Sequence, residues 1–226
     1  MWESQTPPRR LVLADEIYDR VLAALLDHRI RPGGPINIDE ISRQWGVSPT
    51  PIREALARLE GFGLVKREPH RGYVASPPPT RQALEELMDF RELLEVKGAW
   101  LACKQMDDGL LDDLTNTIAE MRTAKTGPDY EEYREFQRAD AAFHELIVNS
   151  ARSRYLRDAV LRLGWHYQRS RLYGGTGISD AAQAIREHEH VLAAFQGGSP
   201  EKTATAMRRH LRGVRARVLA SLDEHG

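Results

Sequence analysis

The sequence predicts a mainly α-helical chain in two parts, an N-terminal winged helix-turn-helix and a C-terminal antiparallel α-helical bundle. Short helical periods, glycine breaks and two strand-like runs lead up to Ala75. A triple proline, Ser76-Pro77-Pro78-Pro79-Thr80, interrupts the pattern, and almost unbroken helical periodicity follows it. Consecutive prolines lack backbone donors and disfavour helix in the residue before them, so this run reads as a stiff linker. The expected organisation is a winged-helix domain over 1–76, a linker over 77–80 and a helical domain over 81–226.

The first helix is expected over about Val12–Arg29, with Ile17, Val21, Leu22 and Leu25 on one face. Arg31-Pro32-Gly33-Gly34-Pro35 ends it. A short helix, Asp39–Trp45, follows with Asp39 as its N-cap. Gly46 permits a tight turn, and Val47 fills the core beside it. Thr50-Pro51 starts the next helix, because proline at a first helical position gives up an N–H that would be unpaired anyway. That helix runs to about Glu60, burying Ile52, Leu56 and Leu59, until Gly61 and Gly63 stop it. Leu64–Arg67 and Tyr73–Ala75 pair as strands around a turn at Pro69–Gly72. Helix, short helix, turn, helix and two-stranded wing is the order of a winged helix-turn-helix.

Beyond the linker, helices are expected near Arg81–Gln105, Asp108–Ala124, Tyr130–Asn149, Ser153–Leu172, Ser179–Gln196 and Pro200–Leu222. Gly127-Pro128, Gly174-Gly175 and Gly197-Gly198 mark breaks between them. Short connections between long helices favour an antiparallel bundle.

Bulk properties narrow the function classes. The 226 residues are 41% hydrophobic and 29% charged, ordinary for a globular protein. Apolar runs fall far short of the roughly 20 residues that cross a bilayer, so no membrane association is expected. Met1-Trp2-Glu3 lacks the basic and then apolar order of a signal peptide. Cys103 is the single cysteine, which excludes an intrachain disulfide and a thiolate metal cluster; a cytoplasmic location fits. A net charge of −1 does not announce a nucleic-acid binder. Locally, Arg43–Tyr73 holds six basic and three acidic residues, a net of +3 and a mild basic patch.

In a helix-turn-helix, the start of the second helix points at base edges in the major groove. Here that start is Ser48-Pro49-Thr50-Pro51-Ile52-Arg53. Arg53 offers the forked guanidinium that matches guanine O6 and N7 or a phosphate. Ser48 and Thr50 can donate to phosphates beside the positive end of the helix dipole. Arg10 suits a phosphate contact ahead of the first helix. At the wing, His70-Arg71-Gly72 joins a cation to a glycine that lets backbone approach a groove. The expected DNA target is a short inverted repeat read by a homodimer, because one recognition helix covers too few base pairs.

Four polar residues in the helical domain fall on apolar faces. Asp140 and His144 are one turn apart, on the face that carries Phe136, Phe143 and Ile147. His188 lies in the stripe Ile185, His188, Val191, Leu192, Phe195, and His210 in the stripe Met207, His210, Leu211, Val214, Val218. Buried without partners, such groups cost about 1–3 kcal/mol each. A divalent transition metal (Zn, with Ni or Mn also suited) would satisfy all four together. Arg91 falls in the stripe Leu84, Leu87, Met88, Arg91, Leu94, Leu101 and needs an anion there: Glu95 one turn on, or the carboxylate of a small effector. Asn149, Tyr167, Arg169 and Arg171 are further candidates for the same cavity, although periodicity leaves their direction open. Asn149 and Arg171 join Arg91 in the expected effector set.

Gly46-Val47-Ser48-Pro49-Thr50-Pro51-Ile52-Arg53-Glu54-Ala55-Leu56, Leu59-Glu60, Gly63-Leu64-Val65 and Arg71-Gly72 together resemble the GntR family of winged-helix regulators. The resemblance continues into the FadR-like branch with an FCD effector domain and covers nearly the whole chain. Pro49 is a departure, standing where many relatives carry a DNA-reading arginine. The FCD pattern implies an Asp and a His four apart and single histidines on two later helices, matched here by Asp140, His144, His188 and His210. It also implies a small organic acid as effector, capping the metal's open positions. The expected function is transcription regulation, not catalysis. The rival classes are a metal-dependent hydrolase, for which no HExxH motif or other general base is evident, and a regulator whose helical domain only dimerises.

Overall fold

The computed structural model describes residues 9–127, 129–172 and 180–223, excepting the side chains of 9–12, 108, 164–172 and 223. The chain divides into two compact units, Met1–Pro78 and Pro79–Gly226.

The first unit packs α1 (Arg9–Leu26) and α2 (Ile38–Trp45) on α3 (Pro49–Gly61). Its buried residues include Ile17, Val21, Leu22 and Leu25 from α1 and Ile52, Ala55, Leu56 and Leu59 from α3. Asn37, rather than Asp39, caps α2: its Oδ1 accepts the N–H groups of Asp39 and Glu40 at 3.1 Å each. Asn37 holds the extended backbone that an N-cap requires, whereas Asp39 is already in the first turn, where its charge complements the helix dipole. Gly46 then turns the chain at φ +66°, a left-handed conformation that a β-carbon would strain. Ser48 and Pro49 start α3 two residues ahead of the expected Thr50-Pro51, with proline at a position that needs no donor.

The wing is three-stranded, in contrast to the two strands expected. Strands β1 (Pro35–Ile36), β2 (Val65–Glu68) and β3 (Gly72–Ala75) form an antiparallel sheet in the order β1-β3-β2. Val65 faces Ala75 and Glu68 faces Gly72 across the hairpin, while Pro35 and Ile36 pair with Val74 and Tyr73. The Gly33-Gly34 break is itself tied to this sheet, because Gly33 N–H donates to Ala75 O and Ala75 N–H to Gly34 O. Two residues are too few for periodicity to reveal a strand; their role is to cover the second edge of β3.

The second unit comprises α4 (Arg81–Lys104), α5 (Asp108–Thr123), α6 (Tyr130–Ser150), α7 (Arg154–Leu172), α8 (Ala181–Gln196) and α9 (Pro200–Asp223). These bounds lie close to the expected ones, except that the expected start of α8 at Ser179 lies outside the described residues. Thr80 and Asp107 cap α4 and α5 by accepting from Ala83 N–H and Leu110 N–H, both at 3.2 Å. Leu84 and Met88 of α4 interlock with Val214 and Val218 of α9. Phe136, Phe143 and Phe195 are fully buried. Among the described residues, no helix is long and apolar enough to cross a membrane.

Gly98 sets how closely α4 approaches its neighbours. A β-carbon there would lie 3.2 Å from Val148 Cγ1 of α6 and 3.4 Å from Leu156 Cδ2 of α7. Gly98→Val should therefore force these helices apart and lower stability by about 1–3 kcal/mol, the usual cost of overpacking. Urea denaturation compares the variant with Gly109→Ala, whose β-carbon meets only the Asp107 carboxylate at 3.8 Å. Equal stability of the two variants would contradict the tight contact.

Candidate metal centre

The buried faces of α6, α8 and α9 bring His144, His188 and His210 together. His144 Nε2 lies 3.4 Å from His188 Nε2 and 3.3 Å from His210 Nε2. All three rings are buried, and the three could hold a metal ion. Asp140, one turn before His144, places Oδ1 3.6 Å from His188 Nε2 and is more accessible than the rings. Phe143 packs against the His188 ring at 4.5 Å between centroids, giving the cluster an apolar wall.

Carboxylates stand behind two of the rings. Glu95 Oε2 lies 2.6 Å from His144 Nδ1, a short but bent contact, and Glu95 Oε1 accepts from Arg91 Nε at 2.6 Å. Glu187 Oε2 lies 2.9 Å from His210 Nδ1. Arg217 grips Glu187 through Nη1 and Nη2 at 2.7 and 2.9 Å and donates from Nε to Asp180 Oδ2 at 2.5 Å. Asp180 precedes α8, yet its carboxylate serves this network instead of capping the helix.

These contacts assign the protons. An ionised carboxylate only accepts, so Nδ1 of His144 and of His210 carries the ring hydrogen, and in a neutral imidazole Nε2 is then a bare acceptor. Bare nitrogens at 3.3 Å repel unless a proton or a metal ion lies between them. For a tetrahedral ion with bonds of ~2.0–2.1 Å, the edge between ligand nitrogens is ~3.3–3.4 Å, and for an octahedral ion of similar bond length only ~3.0 Å. The two spacings from His144 Nε2 match the tetrahedral edge. Charge points the same way: Asp140, Glu95, Glu187 and Asp180 oppose Arg91 and Arg217, four carboxylates against two guanidiniums, leaving −2 for a divalent ion to neutralise.

Burial lowers the His210 pKa below 6.5 and outweighs the raising pull of Glu187. Burial would raise both glutamates. The bonds from His210 and Arg217 nevertheless bring Glu187 down to about 2, and the charge of Arg91 together with the contact from His144 holds Glu95 well below the carboxylate range. The His210 ring is thus kept neutral and the carboxylates behind the rings ionised, the protonation states that a metal ion would need.

Of the other expected effector residues, Arg91 is buried beside the cluster and turned onto Glu95, the helical neighbour one turn away. Asn149 is exposed, so it is not brought to the imidazoles. The side chains of Tyr167, Arg169 and Arg171 lie outside those described. Glu187, Arg217 and Asp180 escaped the sequence reading, because each sits off the apolar stripes and no spacing links them. His210 and Glu187 also line a cleft of about 750 Å³ between α8 and α9, together with Arg186, Lys202 and Arg209.

In the first unit, Ser48, Thr50 and Arg53 are exposed at the start of α3. Ser48 makes no side-chain cap bond, which leaves its hydroxyl to other partners. His70, Arg71 and Gly72 are exposed at the wing tip, where His70 and Gly72 adopt φ +63° and +73°. Arg71 pairs with Glu68 at 2.7 Å, which reduces its net charge toward DNA. The Arg10 side chain lies outside those described.

Comparison with known proteins locates both units. The FCD domain model matches residues 86–213, and that of the bacterial regulatory proteins of the gntR family matches residues 13–75. The chain is 27% identical over 177 residues to the HTH-type transcriptional regulator YdhC of Bacillus subtilis, covering 78% of each chain. It is 24% identical over 212 residues to the HTH-type transcriptional repressor RspR of Escherichia coli K12, covering 94% of this chain and 91% of the other. Among solved structures, Escherichia coli McbR/YncC superposes with a TM-score of 0.71 at 19% identity, covering 93% of this chain and 98% of that one. A putative GntR transcriptional regulator of Rhodococcus sp. RHA1 gives a TM-score of 0.67 at 22% identity, with coverage of 94% and 98%.

The lowered His210 value has a consequence for stability. Below 6.5 an unfolded histidine takes up a proton that the buried ring resists, so the folded state binds fewer protons and stability rises with pH. The glutamates, whose values are lowered from 4.5, contribute their pH dependence only at lower pH. Metal-stripped protein should therefore lose thermal stability as pH falls below 6.5, and His210→Gln should flatten that slope. Melting temperatures between about pH 8 and about pH 5.5 check this, and parallel slopes for parent and variant would refute it.

Proposed function

Because the chain belongs to the gntR family of bacterial regulatory proteins and carries an FCD domain, we propose that it is a metal-dependent sensor acting on DNA. It is a DNA-binding transcription regulator, as its family and relatives are, and not an enzyme. In this reading Asp140, His144, His188 and His210 hold a divalent transition metal, zinc ahead of nickel or manganese. A small organic acid completes the coordination, and its binding changes the grip of a cytoplasmic homodimer on a short inverted repeat.

The approach of His188 Nε2 and His210 Nε2 to His144 Nε2, at 3.4 and 3.3 Å, carries the reading. It supports zinc because three imidazoles and a carboxylate suit that ion, which can accept a fifth donor from the organic acid. The metal, when bound, acts as a Lewis acid that attracts a carboxylate oxygen. The protein's residues supply an apolar wall, the ionised carboxylates behind two ligands and the positive Arg91 one residue removed from His144. The cleft that reaches His210 falls in the ordinary range for a small-molecule site, ~300–1,000 Å³, and its Arg186, Lys202 and Arg209 favour an anion. On the DNA side, Arg53 reads bases, Ser48, Thr50 and Arg10 meet phosphates, and His70, Arg71 and Gly72 approach the adjoining groove.

Zinc should bind once per chain, and His188→Ala with His210→Ala should abolish its binding. Calorimetric titration of citrate, and separately of lactate, into zinc-loaded and zinc-stripped protein tests the sensor. At least one acid should bind about tenfold or more tightly to the loaded form, consistent with ordinary coupling energies. Equal affinities for both acids in both forms would remove zinc-linked sensing of this acid class.

Arg53→Ala should cost about 1–3 kcal/mol per half-site on the preferred inverted repeat and little on unrelated DNA. Fluorescence anisotropy with both DNAs measures the difference. Retained sequence preference would displace Arg53 from the base-reading role.

A further inference from the structure

On the reading of the histidine cluster as a metal site, we propose that Glu95 and Glu187 are positioning residues. Each carboxylate holds the Nδ1–H of one ligand histidine and so aims the bare Nε2 of His144 or His210 at a common point.

The two carboxylates approach the rings from behind, on the side away from the other imidazoles: Glu95 at His144 Nδ1 and Glu187 at His210 Nδ1. Asp140 differs in kind. Its oxygen stands on the Nε2 side of His188, where a ligand belongs. A ring whose Nδ1 faces an ionised carboxylate is confined to one tautomer and one orientation, which is how a group behind a ligand acts on a metal it never touches.

Each positioning carboxylate is itself fixed. Arg91 holds Glu95 from one turn earlier on α4, and both side chains are almost wholly buried. Arg217 holds Glu187 with two parallel bonds and is steadied in turn by Asp180. The chain Asp180–Arg217–Glu187–His210 thus leads from the start of α8 into the cluster.

Gly213 supplies an independent observation. A β-carbon at this position would lie 2.7 Å from Glu187 Oε1 and 3.0 Å from Arg217 Nη1. The carboxylate reaches His210 by lying across bare glycine backbone on α9. A methyl group there pushes the glutamate away while leaving every proposed ligand and both carboxylates in the sequence.

Nitrogen NMR of the histidine rings in the full-length, zinc-stripped protein reads the tautomers directly. Zinc affinity is measured separately by competition with a chelator. In the parent, His144 and His210 should both be in the Nδ1–H form. Glu187→Ala should release His210 toward the Nε2–H form that free imidazole prefers and weaken zinc binding about 10–100-fold. Glu187→Gln, whose amide oxygen can still accept Nδ1–H, should restore the tautomer and most of the affinity. Gly213→Ala should behave like Glu187→Ala, and Glu95→Gln should spare His144 as Glu187→Gln spares His210.

A merely stabilising role would shift the melting temperature without moving the tautomer. The proposal is overturned if His210 is Nε2–H in the parent. It is equally overturned if Glu187→Ala and Gly213→Ala keep both the parent tautomer and zinc affinity within about twofold. A parent with fixed tautomers and no zinc binding would sink the metal reading while upholding the carboxylates' hold on the rings. Zinc binding with unfixed rings would sink the positioning role alone.

Discussion

An imidazole cluster in which His144 Nε2 faces the Nε2 atoms of His188 and His210 at 3.3–3.4 Å sets the terms for the whole helical unit. Water could solvate these nitrogens outside, but within a bundle lined by Phe143, Ile147 and Val191 they need a cation or a proton between them. Three helices must be rotated so that one histidine from each arrives at the same point, and α4 must approach closely enough to place Glu95 behind His144. Gly98 makes that approach possible by leaving room for Val148 and Leu156. Packing and the convergence of the imidazoles are therefore one problem here: the aromatic and aliphatic neighbours that bury the rings also fix where their nitrogens point.

The buried Arg91–Glu95 pair is better understood through this geometry than as a source of stability. Buried ion pairs seldom outperform well-packed apolar side chains, because desolvation offsets most of their attraction. What the pair provides is an ionised oxygen at a defined place, 2.6 Å from a histidine nitrogen. Glu187 provides a second on the opposite flank, where it borders the cleft between α8 and α9. One imidazole is thus braced from the sealed interior and another from a surface open to small molecules. In the proposed sensor, the second of these would couple an arriving anion to the metal without a rearrangement of the core.

The DNA-binding unit follows a different economy. Its net charge is small, so recognition rests on presentation instead of on a strong overall field. Asn37 and Gly46 bound α2 and set the turn into α3, whose first residues Ser48, Thr50 and Arg53 stand exposed. The third strand, Pro35–Ile36, flanks β3 on the side opposite β2 and braces the wing that carries Arg71. Glu68 pairs with both Lys66 and Arg71, so part of the wing's positive charge is already neutralised.

Residue order alone determined the mainly helical class, the winged-helix order and the inward faces of Asp140, His144, His188, His210 and Arg91. It could do so because those properties follow from local periodicity, with histidines recurring on stripes of apolar residues spaced for a helix. It also marked Glu95 as a partner for Arg91, since one helical turn fixes their separation. Tertiary structure decided what lies between elements. The strand at Pro35–Ile36 exists only through its pairing with β3, and Asn37 took the cap from Asp39 because the backbone turns two residues earlier than the acidic side chains suggest. Asn149 proved exposed because its place on the last turn of α6 carries it off the buried face. Glu187, Arg217, Asp180 and Gly213 meet only when α8 and α9 are packed, and no period in the sequence records a contact between side chains 23 to 37 residues apart.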